Sequence, residues 1–165
     1  MQRTVKDKEP RHIGQRAAAE PGHETQLMGN THFNPSIETH GWTLISAEER
    51  HAASPDAFEI PPRDARETLS AGSGVKLLFD IEVRGGSRVL DRGVERMWVL
   101  VKGRTAGGTY VGILDSEPVL RAPNLLSGDT VHFGPEHIAG IDSPPRDYIV
   151  AKYGVSFFDG ESRSV

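Results

Sequence analysis

Carboxylates and imidazoles supply the one arrangement in this sequence that invites acid–base chemistry. Asp115 and Glu117 stand in one turn, Asp-Ser-Glu-Pro, and Asp129 follows Gly128 in a second, with His132 and His137 a few residues beyond. Paired carboxylates work as general acid and base when burial or mutual repulsion drives their pKa values apart. An enzyme using Asp115, Glu117, Asp129 and His137 around one end of a sheet is therefore one reading. The plainer reading is structural, because aspartate and serine at turn starts hydrogen-bond their own backbone.

The other chemistries fall away one by one. Of the seven histidines, His12, His23 and His32 lie in a polar N-terminal stretch, and His40, His51, His132 and His137 lack the spacing of a zinc ligand set. The glycines at 72, 74, 107 and 108 precede strand-like text rather than a lysine and a helix, so they form turns and not a phosphate loop. Ser46, Ser70, Ser127 and Ser156 sit in no nucleophile elbow. With no cysteine in the chain, disulfides, thiolate metal sites and a cysteine nucleophile are excluded. No cofactor and no metal is expected.

What is left suits recognition. Arg84, Arg88, Arg92 and Arg96 recur around residues 85–94, interleaved with Asp91 and Glu95, and form either a patch for an acidic partner or a solvated charged loop. Trp98 follows, of the type that dominates binding hot spots, although a strand apolar on both faces favours it as a core filler. The candidate partner-binding residues are Arg88, Arg92, Arg96, Trp98, Asp115 and Glu117.

These residues must be positioned by the elements around them. In residues 75–83, Val75, Leu77, Phe79, Ile81 and Val83 alternate with Lys76, Leu78, Asp80 and Glu82, which places one set against a core. Residues 85–94 read as a loop, and the chain should return antiparallel in a strand over residues 96–102, apolar on both sides and hence central. Glycines at 103, 107 and 108 make a hairpin connection to a strand over residues 110–114. Gly112 inside it signals a bulge or a close backbone approach. Residues 131–133 are a further strand, followed by a turn at 135–138, a loop at 140–145 and a final strand or two over 148–158, split at Gly154. Upstream, Ser46-Ala-Glu-Glu49 has capping-box spacing for a short helix over 47–53, stopped at Ser54-Pro55, and a second helix is expected over 62–69.

The expected fold is α+β and β-rich: a small, strongly curved antiparallel sheet or partly open barrel with one or two short N-terminal helices. Residues 1–33, poor in large apolar side chains, read as a disordered polar tail, 34–158 as a single globular domain and 159–165 as a polar C-terminal tail. The net charge is −4. The first 33 residues carry five basic and four acidic side chains, leaving fourteen basic against nineteen acidic beyond them. That balance argues against nucleic acid, whose affinity rests on a basic stripe, and the strands show no exposed aromatics with such a stripe. No secretory signal and no apolar run of membrane length is seen, so a cytoplasmic, non-membrane protein is expected.

The pieces Val75-Lys-Leu-Leu-Phe79, Glu95-Arg-Met-Trp-Val99, Gly108-Thr-Tyr-Val-Gly112, Glu117-Pro118 and Gly128-Asp-Thr-Val131, with Ile138, resemble the bacterial domain of unknown function 2314, the YegJ-like family, over roughly residues 60–140. The chain departs from that pattern where an asparagine is typical near Asp115 or Ser116, and where an Asp-Trp pair commonly stands in place of Gly140-Ile141. The resemblance implies a fold and a bacterial origin, and carries no activity. Together these readings favour a non-enzymatic module that binds a partner protein, with regulation or immunity in a bacterial toxin system as a fitting role.

Overall fold

A computed structural model describes residues 30–163, with side chains up to Asp159. The part of the expected polar tail over residues 1–29 lies outside the described residues. The fold is α+β and β-rich, as the sequence leads one to expect.

Its frame is one hairpin. Strand β3 (Gly74–Gly85) pairs along all twelve of its residues with β4 (Arg88–Arg104), antiparallel, across the two-residue connection Gly86-Ser87. Gly86 has φ 65°, a backbone angle that glycine adopts without steric cost and that a tight hairpin asks for at its first central position. Residues 85–94 are therefore not a loop. Arg88 to Val94 belong to β4, and the strand was hidden because its side chains are mostly exposed and its charges follow no period of two. Cross-strand pairing with β3 is what makes it a strand.

On the other side of β4 comes β5 (Tyr110–Leu114), then β6 (Thr130–Phe133), then at the edge the parallel two-residue strand β1 (Thr31–His32). The opposite side of β3 is shared by β2 (Trp42–Ile45), which pairs with Leu78 to Ile81, and β7 (Ile138–Asp142), which pairs with Gly74 to Leu77. Residues 140–142, expected in a loop, are thus strand. Strand β4 is central, as its two apolar faces imply.

Register shifts at Val83/Arg84, Lys76/Leu77 and Val101/Gly103 sharpen the twist locally, as bulges do. At Gly112 a Cβ would come within 2.5 Å of Val99 Cγ1 and 2.8 Å of Leu100 O, so only glycine lets β5 approach β4 where the sheet bends.

The inner face packs Trp42, Leu77, Phe79, Val99, Tyr110 and Phe133 into the main core. Each such side chain contributes about 1.5–3 kcal/mol by burial. Two short helices lie to one side: α2 (Ala47–Ala53), whose Ser46 hydroxyl accepts from Glu49 N–H at 3.1 Å, and α3 (Arg63–Glu67), entered through Pro62. Both match the expected helices. A third, one-turn helix, α1 (Ile37–His40), precedes β2. The buried Arg66 donates to Glu48 at 2.7 Å and to the Pro61 and Pro135 carbonyls at 2.8 Å, holding α3 against α2 and the 3-10 turn Pro135–His137. That hydrogen bond from Arg66 is the main reason the Glu48 carboxyl is held below its ordinary value.

The C-terminal segment reverses its expectation. Residues 148–158 are no strand: Arg146–Tyr153 is helix α4, and a 3-10 segment, Val155–Arg163, follows Gly154. Pro145, with φ −60°, sets the backbone for the first turn of the helix. The apolar residues serve as a lid, with Ile149, Phe157 and Phe158 packed on Leu100 and Ile113 of the outer sheet face. The expected C-terminal tail accordingly begins inside ordered structure.

At the N-terminal end residues 30–33 are not tail either. Asp129, wholly buried, accepts from Asn30 N–H at 3.0 Å, from Leu126 N–H at 3.0 Å and from His32 Nε2 at 2.9 Å. One carboxylate thereby holds β1 on the sheet and closes the preceding turn. Asp129→Ala leaves these donors unsatisfied and is expected to cost about 3 kcal/mol or more, read as a lower urea midpoint. A loss below about 1 kcal/mol would show that Asp129 does not hold the edge.

Candidate functional site

Along β4 the residues that pair with the even-numbered positions of β3 share the outer face. Arg92 pairs with Glu82, Val94 with Asp80, Arg96 with Leu78 and Trp98 with Lys76. At about 3.4 Å per residue the row from Arg92 to Trp98 is roughly 20 Å long. Asp115 continues it, because its N–H donates to Trp98 O at 2.9 Å while Trp98 N–H donates to Ser116 Oγ at 2.9 Å.

Trp98 itself is not a core residue. It is half-buried on the outer face, with Lys76 Nζ 4.8 Å from its ring centroid. Beside it a cavity of about 170 Å³ is bounded by Trp98, Leu100, Asp115 and Tyr148, with Gly74, Pro144 and Asp142 on the remaining side.

Helix α4 delivers the far wall. Tyr148 and Lys152 are one turn apart and share a helix face, and Tyr153 is adjacent. Asp115 accepts from the Tyr148 hydroxyl at 2.7 Å, from the Tyr153 hydroxyl, and from Lys152 Nζ at 2.8 Å. Burial alone would raise the Asp115 carboxyl, but the hydrogen bonds from Lys152, Tyr148 and Tyr153 outweigh it and hold it below its ordinary value. The Tyr153 phenol is pushed far up, first by burial and then by its bond to Asp115, and Tyr148 is raised chiefly by its own bond to that carboxylate. Lys152 is raised mainly by its bond to Asp115. Every shift moves a group's pKa further from 7, the reverse of an acid or base poised for proton transfer near pH 7. The cluster is a rigid polar support.

The remaining candidates are placed apart from it or locked. Arg92 is engaged with Asp80 at 2.9 Å and with Glu82 at 3.2 Å, Arg96 lies 5.1 Å over the Phe58 ring, and Arg88 is exposed near the hairpin tip. Glu117 is exposed. Asp115, Glu117, Asp129 and His137 do not converge: Asp115 and Asp129 have separate partners, and His137 lines a different cavity with His132. Among the described residues no group of three or more metal-ligating side chains is present.

No family model matches the chain, and no curated protein and no solved structure matches it.

Tyr148, Lys152 and Tyr153 were not singled out from the sequence. Their i, i+4 spacing was the available signal, masked by the strand-like content of residues 148–158. A pH test follows from the Asp115 shift. Its carboxyl is lower in the folded state than in the unfolded one, so its contribution is present above about pH 4 and is lost as pH falls through the lowered value. Asp115→Asn should cost about 1–2 kcal/mol at pH 7, and the two stability curves should converge in acid. A gap that stays constant down to about pH 2 would refute the charged role.

Proposed function

We propose that this protein is a non-catalytic recognition module that binds a partner protein through the outer-face strip Val94, Arg96, Trp98 and Tyr148. The observation that supports it best is composition by position. An exposed Val94, a half-buried Trp98 and an Arg96 without a carboxylate partner among the described residues share the outer face of β4, and a Tyr148 that is 43 % exposed stands beside them on α4. Trp, Tyr and Arg are the side chains that carry most binding energy at interfaces, and rigid aromatics lose little entropy on binding.

The polar groups nearby favour the same reading. Asp115, Lys152 and the phenols satisfy one another, so they shape the surface without needing a substrate to complete them. An enzyme built on Asp115, Glu117, Asp129 and His137 lacks the convergence such a site needs. Regulation or toxin immunity, in which a partner is covered rather than transformed, is a role of this kind. We extend the proposal to kinship with the bacterial domain of unknown function 2314 and to a cytoplasmic setting, to which the absence of any helix long and apolar enough to cross a membrane among the described residues is compatible.

Affinity capture from a lysate of the source cells, followed by titration of the captured partner, tests this. Trp98→Ala should weaken binding by about tenfold or more, and Val94→Asp likewise, since about 1.4 kcal/mol corresponds to one decade. Undiminished binding by both folded variants would overturn the strip as the interface.

A further inference from the structure

A second cavity, of about 290 Å³, opens between the β1–α1 turn, β2, the start of β5 and the 3-10 turn after β6, away from the outer-face strip. Phe33, Leu44 and Phe133 provide its apolar walls, and Thr43, Thr109, His132, Glu136 and His137 its polar ones.

Its hydrogen-bond roles are decided by the protein. His137 Nδ1 accepts from Gly134 N–H at 3.0 Å, so the neutral ring carries its proton on Nε2 and is a donor there. Burial holds both imidazoles below their ordinary values, His137 despite Glu136 and Glu48. The Thr43 and Thr109 hydroxyls make no hydrogen bond to other described residues and reach solvent. Glu136, 47 % exposed, adds an acceptor. Phe33, 64 % exposed, packs against the His132 ring with centroids 4.3 Å apart and planes tilted by 33°, leaving its other face open at the cavity.

Charge decides against an anion. Of the nearby cations among the described residues, Arg63 and Arg66 are engaged with Glu48 and Glu67, and Arg104 lies 4.4 Å over the Tyr110 ring, while Glu136 is the one charged carboxylate on the wall. Among the described residues the lining itself holds a carboxylate, two imidazoles and no lysine or arginine, so no cation faces into the cavity. The volume of about 290 Å³ falls just under the ~300–1,000 Å³ of small-molecule clefts and suits one ring system.

We propose that this cavity binds an uncharged, planar nitrogen heterocycle of nucleobase size, as the free base or a nucleoside, stacked on Phe33 and hydrogen-bonded by His137 Nε2–H, the threonine hydroxyls and Glu136. Aromatic stacking supplies affinity for any such ring, and the mixed donors and acceptors select one with a matching edge.

The test is titration of the full chain with adenine, cytosine, uracil and their nucleosides, followed by calorimetry and by the amide resonances of Gly134 and His137. The expected result is one-to-one binding with micromolar to millimolar dissociation constants and shifts confined to this cavity. Phe33→Ala should weaken it about three- to tenfold. Thr109→Val, nearly isosteric at an exposed hydroxyl, should weaken it while leaving thermal stability unchanged. Failure of every probe to bind up to about 5 mM would overturn the proposal. Equal competition by inorganic phosphate or acetate, or binding unaffected by both variants, would do so too. None of these outcomes depends on whether Trp98 holds a partner protein.

Discussion

The antiparallel pairing of β3 with β4 is the constraint from which the other placements follow. All twelve residues of β3 are engaged, and an antiparallel ladder fixes which side chains share a face, since a slip of one residue would turn the whole core set outward. With Leu77, Phe79 and Ile81 committed inward, Lys76, Asp80 and Glu82 must face out, and with them Trp98, Val94 and Arg92 of β4. The outer-face strip is thus a geometric consequence of building the inner core.

Curvature sets the ends of that framework. The bulges and the contact that only glycine permits at position 112 bend β4 and β5, so the outer face needs a short, separate cover where Leu100 and Ile113 emerge. Helix α4 and the 3-10 segment provide it, and the same helix brings Tyr148, Lys152 and Tyr153 onto Asp115. At the opposite margin Asp129 holds β1 in place by satisfying two backbone N–H groups and one imidazole. A buried carboxylate with this many donors is tolerated because each compensates for lost hydration.

Polar clusters in this protein are mostly self-contained. Arg66 with Glu48 and two carbonyls, Arg92 with Asp80 and Glu82, and Asp115 with its three donors each close upon themselves. That distribution leaves aromatic and apolar side chains, together with Arg96, as the groups with contact capacity still open on the outer face. The cavity beside Phe33 differs, because its threonine hydroxyls open to solvent.

Local rules were legible wherever one residue's chemistry settles the matter. The alternation in β3, the Ser46 cap, the proline entry to α3, the bend at Gly112 and the central place of β4 could all be read from the sequence, because burial period, capping, the fixed φ of proline and the missing side chain of glycine act over a few residues. Three things depended on distant partners. Arg88 to Val94 became strand only by pairing with β3, residues 148–153 docked as helix on the outer face over Leu100 and Ile113, and Asn30 to His32 joined the sheet by pairing with β6 and by bonding Asp129, ninety-seven residues from His32. By itself the sequence determined the fold class and the inner core, since hydrophobic periodicity is a local property. Arg96, Trp98 and Asp115 could be named from the sequence, but the site they form was decided by tertiary structure, since Trp98, Asp115 and Tyr148 meet only after the hairpin closes, the sheet bends and a C-terminal helix docks on its outer face.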